Sequence, residues 1–486
     1  MRGLVAWRGA SPPRLLLGHA QPAHQIWPWG RQPVVLQGDE IHQHRHVIGL
    51  TGQGKSKLLA SLFVQLHTQG IAGGIIDPHA DLARECLRLL AEGGERLDGG
   101  GERPVLYIDF AGRDAYLPFN ILRQPFDAHT IARNLVEVCK RAWPALAGGA
   151  APTFENILLH ATVVLVDNDY PLTLLPRLLV DQVFRDMSLA NVKDEQVVRF
   201  FHDRYDRWGR DGALMRESTL NRVALLTFSP TLRYSLGQRE NRLDFRRHLD
   251  EGISVIYNLG GLDEATQTFL GCLITVGYEV AALARADTPE KARRPWHLVL
   301  DEFSQFSATS EAALARVLSL ARKYGLYLTL AHQTWSQISE RLSGALQNTL
   351  GIAFRLGRSD AEWAATRFGR FDARAIKHEV RDPAQIDRTH PVFVSIAEAF
   401  EGWTAELEGL RPRQALVKHG QSTVKIQTPE IPPPRISPAD LDQIVAGYRQ
   451  SLLRPASTVP LEVDNQLRSA TPVVSEQRPT RRVPIG

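Results

Sequence analysis

The stretch His46-Val-Ile-Gly-Leu-Thr-Gly-Gln-Gly-Lys-Ser56 decides the fold, because it contains the spacing G-x-x-x-x-G-K-S of a phosphate-binding loop. Its glycines lack a Cβ, so the backbone can curl and point several N–H groups at an anion. The lysine can reach the β- and γ-phosphates, and the serine hydroxyl can bind Mg²⁺. We therefore predict an ATP site formed by Gly49, Leu50, Thr51, Gly52, Gln53, Gly54, Lys55 and Ser56.

The flanks of this loop support the prediction. His46-Val-Ile48 can end a buried strand, and residues 57–66 have the apolar spacing of a helix. Bound phosphates would then lie at a helix N-terminus, where backbone N–H groups favour anions. The alternative is a glycine-rich turn between a strand and a helix that binds nothing, and the two matching flanks disfavour it.

Composition sets broad limits. The chain has 486 residues, enough for two to four domains, and a formal net charge of +4. Its three cysteines are far apart and form no metal or redox pattern, which fits a reducing, cytoplasmic setting. The longest apolar stretch, 269–284, is shorter than a membrane span and carries Glu279, so it predicts a buried helix.

Short apolar strands alternate with helices around the loop. Strands are predicted at 72–77 and 105–109, with a helix at 81–90 between them. This alternation is typical of a mainly parallel sheet covered on both faces, with functional residues at the carboxyl ends of its strands. Asp77 ends one strand, where it could serve the site or cap the following helix.

The pattern becomes helical between 127 and 249, which predicts an all-helical insertion. Within it, residues 199–210 interleave arginines with aromatic residues, a pattern that single-stranded nucleic acid binding uses. Acidic residues lie among them, so the aromatics could instead form the core face of a helix with ion pairs on its surface. We favour the second interpretation.

A second catalytic motif follows a later strand. Trp296-His-Leu-Val-Leu-Asp-Glu302 is an apolar strand that ends in two carboxylates. Asp301 is the expected Mg²⁺ ligand, and Glu302 the general base that polarises the attacking water. Gln333 ends the next predicted strand, from where it could hydrogen-bond the γ-phosphate or the water. The alternative for the two acids is a surface turn, which the pairing with a phosphate-binding loop disfavours.

Three histidines precede the loop at every second position: His42, His44 and His46. On a strand they would share one face. That arrangement suggests a metal site, but no carboxylate or cysteine joins them. A solvated or phosphate-facing edge is the favoured interpretation.

Several motifs occur together in one order along the chain: His46 to Ser56, Ile76-Asp-Pro-His79, Phe119-Asn-Ile-Leu122, Ser229-Pro-Thr-Leu-Arg233, Leu300-Asp-Glu-Phe303, Ala321-Arg-Lys-Tyr-Gly-Leu326, Leu330-Ala-His-Gln333 and Phe354-Arg-Leu-Gly357. In this order they resemble the TraG-type conjugative coupling ATPases of the HerA–FtsK superfamily. The resemblance covers roughly 34–410 and is loose in the helical insertion.

The resemblance implies an α/β, RecA-like motor that forms a hexameric ring and pumps single- or double-stranded DNA. It places the arginine finger of that family on Arg322, which would complete the site of a neighbouring subunit. The alternative for Arg322 is a helix-end arginine that interacts with the helix dipole. It also implies partners such as a relaxase or relaxosome and secretion-channel proteins, which the helical insertion would face. Many coupling proteins begin with two membrane helices; this sequence shows none, so a partner would bring it to the inner face of the membrane.

The predicted organisation has five regions: an N-terminal segment (1–33), a first motor segment (34–126), the helical insertion (127–249), a second motor segment (250–418) and a tail (419–486). The second motor segment is expected to end in a late hairpin formed by 391–395 and 403–407. Prolines mark the tail as largely disordered, apart from a short helix at 438–452.

The predicted function is a DNA-translocating ring ATPase of the coupling-protein type. One alternative is a HerA-like motor that serves a nuclease in DNA processing or phage defence. Another is a nucleotide-gated scaffold that binds ATP and recruits partners without translocation. The intact pair Asp301-Glu302 disfavours the scaffold, because a scaffold needs no general base.

Overall fold

The computed structural model describes most of the chain, in these ranges: 12–21, 32–97, 103–143, 152–306, 317–318, 321–338, 340–370, 372, 374–382 and 385–468. The residues form two compact units. The first unit comprises 1–107, 247–257 and 281–441, and the second comprises 108–246, 258–280 and 442–486. The predicted domain boundaries differ from this division and stay a prediction.

Strands form around the apolar, β-branched runs of the sequence. In chain order they are β1 (Arg14–Ala20), β2 (Pro33–Gln37), β3 (Arg45–Ile48), β4 (Gly73–Asp77), β5 (Val105–Asp109), β6 (Ala115–Tyr116), β7 (Ser254–Asn258), β8 (Trp296–Leu300), β9 (Leu326–His332), β10 (Leu350–Ala353), β11 (Ile376–Asp382), β12 (Gln385–Phe393), β13 (Gln414–His419), β14 (Ser422–Gln427) and β15 (Arg454–Pro455).

One large sheet of eleven strands has the order β2-β1-β14-β13-β10-β3-β9-β8-β4-β7-β5. Strand β3 pairs in parallel with β10 and β9, and β8 pairs in parallel with β9 and β4. The strands β13, β14, β1 and β2 extend the sheet in antiparallel fashion. The predicted mainly parallel α/β fold is thus confirmed, with an antiparallel edge that the sequence did not reveal.

The α-helices in chain order are α1 (Lys55–Thr68), α2 (Asp81–Glu92), α3 (Ala128–Ala142), α4 (Pro152–Asp167), α5 (Leu175–Val180), α6 (Gln182–Leu189), α7 (Glu195–Arg199), α8 (Arg210–Val223), α9 (Leu225–Phe228), α10 (Pro230–Leu236), α11 (Phe245–Glu251), α12 (Glu264–Leu283), α13 (Glu340–Leu346), α14 (Arg358–Phe368), α15 (Ile396–Glu408), α16 (Pro438–Leu452) and α17 (Val459–Arg468).

Helices α3 to α11 confirm the helical insertion, since every named element from 128 to 251 in the described part of the chain is helical. The arginine–aromatic stretch continues α7 as a π-helical segment, Phe200–Tyr205. Phe200, Phe201 and Tyr205 are buried and contact one another. On the exposed face, Arg199 pairs with Glu195. The core interpretation of these aromatics is therefore confirmed.

Helix α12 belongs to the interior of the protein, as the sequence predicted. Together with the turn that follows it, Glu264–Asp287 is the one described segment long and apolar enough to cross a membrane, with a mean hydropathy of 1.4. However, 72% of that apolar window is buried in the structure. Its buried Glu279 accepts a hydrogen bond from Arg141 at 2.7 Å, so the buried carboxylate is paired.

The C-terminal region contains more structure than its prolines suggested. Helix α16 lies where the sequence predicted it, and Ser437 caps it through a hydrogen bond from the Asp440 N–H. Strand β14 and helix α17 were not predicted; they form because Ile426, Val459 and Val463 bury apolar surface. The remainder of the predicted tail, 469–486, lies outside the described residues, as does most of the N-terminal segment.

Two further sequence predictions have mixed outcomes. Within the predicted late hairpin, 391–393 belong to β12, which pairs with β11. The other half is wrong, because 403–407 lie in α15, where Thr404 and Leu407 face the interior at helical spacing. Arg322, for which a helix end was the alternative interpretation, lies in a 3₁₀ turn, Ala321–Tyr324.

Candidate functional site

The predicted phosphate-binding loop joins β3 to α1, as its flanking residues required. Gly52 and Gly54 have φ angles of +77° and +106°, which side-chain-bearing residues rarely adopt. Gly49 lies against the strand end of β10, where an added Cβ would approach the Phe354 Cβ to 2.5 Å. The Leu50 N–H also donates to the Arg355 carbonyl at 2.9 Å. The glycines are thus required by the backbone and by close packing.

Lys55 is buried at the start of α1 and points back into the loop. Its Nζ donates to the Gly49 carbonyl at 2.5 Å and to the Leu50 carbonyl at 3.3 Å. Burial lowers the pKa of Lys55, while the carboxylates of Glu302 and Asp301 oppose that shift. The ammonium is therefore held inside the loop, and two acids compensate its charge.

Asp301 and Ser56 meet across the sheet edge. The Ser56 Oγ donates to Asp301 Oδ2 at 3.3 Å; Ser56 lies in the first turn of α1, and Asp301 directly follows β8. The pKa of Asp301 is raised to about 6, first by burial and then by the neighbouring carboxylates of Glu302 and Asp77. Lys55 and the Ser56 hydroxyl act in the opposite direction. A cation at this position would relieve the repulsion among these acids.

Glu302, Gln333 and Thr51 form a chain of hydrogen bonds. Gln333 Nε2 donates to Glu302 Oε1 at 2.9 Å, and the Thr51 hydroxyl donates to Gln333 Oε1 at 3.0 Å. This chain connects the expected base to the phosphate-binding loop through the residue that ends β9. Glu302 has a φ of +48°, a conformation that non-glycine residues adopt mainly where the surrounding structure enforces it.

Asp77 has the structural role that the sequence left open. Its carboxylate accepts hydrogen bonds from the His79 and Ala83 N–H groups, each at 2.8 Å. These bonds satisfy N–H groups at the start of α2, as a capping residue does. Asp77 also lies close enough to Asp301 to raise its pKa, so it contributes to the site electrostatically.

Arg322 does not join the other predicted site residues. It is exposed in the 3₁₀ turn that precedes β9, whereas Gln333 follows the same strand. Since β9 has seven residues, these two positions are about 20 Å apart along the strand. Arg322 instead lies near His44, whose pKa is lowered to about 4 by burial and by Arg322 and Arg45.

Arg413 contacts the loop, and the sequence gave no signal for it. Its backbone N–H donates to the Gln53 carbonyl at 2.8 Å. A Cβ added to Gly54 would lie 3.5 Å from the Arg413 Cγ. Its φ of +68° is unusual for an arginine. It precedes β13, so only the addition of the antiparallel strands to the sheet brings it to the loop.

The three histidines before the loop are not a solvated edge, contrary to the sequence interpretation. His44 and His46 are buried, and His42 lies 3.4 Å from His297 between ring nitrogens. No set of three or more potential metal ligands in the described part of the chain includes them. His44 and His46 are buried because β3 and the residue before it lie in the middle of the sheet, and all three histidines pair with polar groups of β8 or β9.

The residues fit a magnesium nucleotide. The loop presents N–H groups at the start of α1, Lys55 lies beneath it, and Ser56 and Asp301 are oxygen ligands of the kind that Mg²⁺ prefers. The clustered acids around Asp301 need a cation for charge balance beyond Lys55. These residues could therefore hold both the phosphates and a magnesium ion.

Comparisons with known proteins agree with this arrangement. Residues 295–371 match the family described as the TraM recognition site of TraD and TraG. The structure is similar to the bacterial conjugative coupling protein TrwBdeltaN70, with a TM-score of 0.55 at 17% identity over 88% of this chain and 97% of that one. TrwB in complex with ADP and Mg²⁺ gives 0.52 at 16% identity, covering 88% and 98%.

VirB4 of Thermoanaerobacter pseudethanolicus gives a TM-score of 0.50 at 14% identity, over 86% of this chain and 96% of that one. No curated protein sequence matches the chain. At such identities the solved structures establish the fold alone, which is a RecA-like α/β fold. Together with the match at 295–371, they confirm the resemblance to the TraG-type conjugative coupling ATPases that the motifs indicated.

The packing of Gly49 generates a first prediction. Gly49→Ala should destabilise the protein by about 1–3 kcal/mol, because the new methyl group would overlap the Phe354 side chain. Thermal denaturation of the full chain measures this as a lower midpoint. Gly344→Ala is the control: Gly344 lies in α13 with open space around it, and alanine favours a helix. Equal midpoints for the two variants would contradict the close packing of the loop against β10.

Proposed function

We propose that the chain is the motor subunit of a ring ATPase that translocates DNA. The observation that carries this proposal is the convergence of Lys55, Ser56, Asp301, Glu302 and Gln333 at one edge of the parallel sheet. These residues come from the loop and from the ends of β8 and β9, so the arrangement exists only in the folded chain. The resemblance to conjugative coupling ATPases supports a motor over other uses of this fold.

In this proposal the loop N–H groups and Lys55 hold the β- and γ-phosphates of ATP. Ser56 and Asp301 would hold Mg²⁺, which neutralises phosphate charge when bound. Glu302 takes the proton of the attacking water, and Gln333 holds the Glu302 carboxylate through its amide N–H. Gln333 also accepts a hydrogen bond from Thr51. A change in the conformation of the loop on loss of the γ-phosphate could therefore be transmitted to β9.

The partners follow from the same resemblance. We propose a homohexameric ring with DNA in its centre, which works in the cytoplasm and reaches the inner membrane face through a protein partner. The match at 295–371 supports a relaxosome protein as that partner, since the family described there is a TraM recognition site. The resemblance implies that the helical insertion, 127–249, is the contact for such a protein.

Arg322 acts in trans in this proposal. It is exposed before β9, at the strand end opposite the phosphate-binding loop, so it is too far to reach the loop of its own subunit. In a head-to-tail ring, each such surface meets the nucleotide edge of a neighbour. Its guanidinium would then supply a cation on the open side of the γ-phosphate.

The nucleotide chemistry is tested with two variants of the site. Lys55→Ala should abolish ATP hydrolysis, because the buried ammonium in the loop is lost. Glu302→Gln should still bind ATP but hydrolyse it very slowly, because an amide cannot take a proton. Phosphate release and binding of a fluorescent ATP analogue measure both properties. Lys57→Ala is the control, since Lys57 is exposed and pairs with Glu85; wild-type turnover in Lys55→Ala would refute the assignment.

The motor is tested by the response to DNA. ATP hydrolysis should rise with single- or double-stranded DNA, with little dependence on sequence, because a translocase contacts phosphates rather than base edges. The rise should weaken as salt increases. Heparin is the control for a polyanion without nucleotides. An unchanged rate with every DNA at every salt concentration would favour the nucleotide-gated scaffold.

The trans role is tested by mixing variants. Arg322→Ala should bind ATP normally and lose about 10³-fold in turnover, the lower end of the effect of a trans arginine. Lys323→Ala is the matched control, because it changes the adjacent exposed cation of the same turn. Mixing Arg322→Ala with Lys55→Ala should restore activity at interfaces that join an intact Arg322 to an intact Lys55. If mixed rings form and stay inactive, Arg322 is a structural residue.

A further inference from the structure

A line of buried hydrogen bonds runs beneath the proposed catalytic edge and is not part of the site described above. It starts at Arg367 in α14, passes through His46 on β3 and His332 on β9, and ends at the Thr334 carbonyl. The three distances are 2.7 Å, 2.7 Å and 2.9 Å. Both histidines are completely buried.

The donors and acceptors in this line can be arranged in only one way when the histidines are neutral. Arginine has no acceptor, so Arg367 Nη1 donates to His46 Nδ1. His46 therefore carries its proton on Nε2 and donates to His332 Nε2. His332 in turn carries its proton on Nδ1 and donates to the Thr334 carbonyl. Burial lowers the pKa of His332 to about 4, which agrees with the neutral form.

The start of the line is held firmly. Arg367 Nη2 donates to the Leu346 carbonyl at 2.7 Å and to the Thr349 carbonyl at 3.1 Å. These bonds fix the guanidinium between α14 and the start of β10. The orientation of the His46 ring is therefore set from outside the catalytic edge.

The end of the line lies next to both expected catalytic side chains. His332 directly precedes Gln333, and its Nδ1–H holds the carbonyl of the residue that follows Gln333. The His332 ring also meets Phe303, which follows Glu302, edge to face at a centroid distance of 5.2 Å. The turn after Gln333 is held a second time, because Asp360 accepts the Trp335 N–H at 2.9 Å.

We propose that His332 is a positioning residue for the hydrolysis step: its bond to the Thr334 carbonyl sets the backbone turn that aims Gln333 at Glu302. The proposal rests on the proposed ATPase function and adds a residue to it. In this proposal His332 influences the reaction only through Gln333. The bond to His46 serves to fix the His332 tautomer, so that Nδ1 rather than Nε2 bears the proton.

Two substitutions test the hydrogen bonds of His332 Nδ1 and of His332 Nε2 independently. His332→Asn places an amide N–H near the position of Nδ1, so it can keep the bond to Thr334 while losing the acceptor for His46. His332→Gln places an amide oxygen near the position of Nε2, so it can accept from His46 but loses the bond to Thr334. Asparagine is the smaller residue and leaves the larger gap in the core.

The positioning role predicts that the glutamine variant is the more damaged one. His332→Gln should lose on the order of 10²-fold in kcat, the size expected for a small misplacement of a catalytic group, with unchanged affinity for ATP. His332→Asn should stay within about threefold of the wild type, because the retained bond to the Thr334 carbonyl keeps Gln333 in place. In a Gln333→Ala background the two variants should have equal kcat values.

A packing role predicts the opposite order, with His332→Asn at least as damaged as His332→Gln. Equal loss in both variants, or full activity in both, would therefore overturn the proposal. The tautomers are tested separately by ¹⁵N spectroscopy of the histidine rings in the nucleotide-free protein. A proton on Nδ1 of His332 and on Nε2 of His46 supports the line of bonds; the reverse pattern overturns it.

These measurements distinguish this proposal from the proposed function. If the wild-type chain hydrolyses no ATP under any condition, the function fails, and the ring spectra still decide whether the hydrogen-bond line exists. If the wild type hydrolyses ATP and the two variants behave in the reverse order, the function stands and the positioning role of His332 is wrong.

Discussion

The structure depends on the parallel pairing of β9 with both β3 and β8. In this register Ile48 lies opposite His332, and Leu300 lies opposite Leu330. The residues that follow these three strands therefore leave the sheet at the same edge. Without this pairing, the phosphate-binding loop, the two acids and Gln333 would be unconnected pieces of sequence. The same pairing buries the histidines, since the middle of a covered parallel sheet excludes water.

Electrostatic balance explains why these residues tolerate burial together. Lys55, Asp301 and Glu302 are all buried at one edge, and an isolated buried charge would be very unfavourable. The ammonium compensates part of the charge of the acids, while burial and then the carboxylates of Glu302 and Asp77 raise the pKa of Asp301. A site with excess negative charge and a loop of N–H groups suits a metal ion together with a phosphate chain. The charge pattern thus agrees with the geometry.

The comparisons and the site support each other at different levels. The solved structures establish the fold and extend over nearly the whole of this chain. The matched segment at 295–371 contains Asp301, Glu302, Arg322 and Gln333. The hydrogen bonds among Thr51, Gln333 and Glu302 come from this chain alone and connect the loop to Gln333, which directly follows β9. The proposed function combines these three kinds of observation.

The sequence by itself determined the loop, the acid pair, Gln333 and the alternation of strands and helices, because these depend on local spacing and on periods of two and 3.6 residues. It also determined α16, whose cap and apolar positions lie within a few residues of one another. Only the tertiary structure decided that Arg413 touches the loop and that His46 and His332 pair. These contacts depend on strand order and register, which bring together residues that are far apart in the sequence. No local pattern of side chains specifies contacts over such sequence separations.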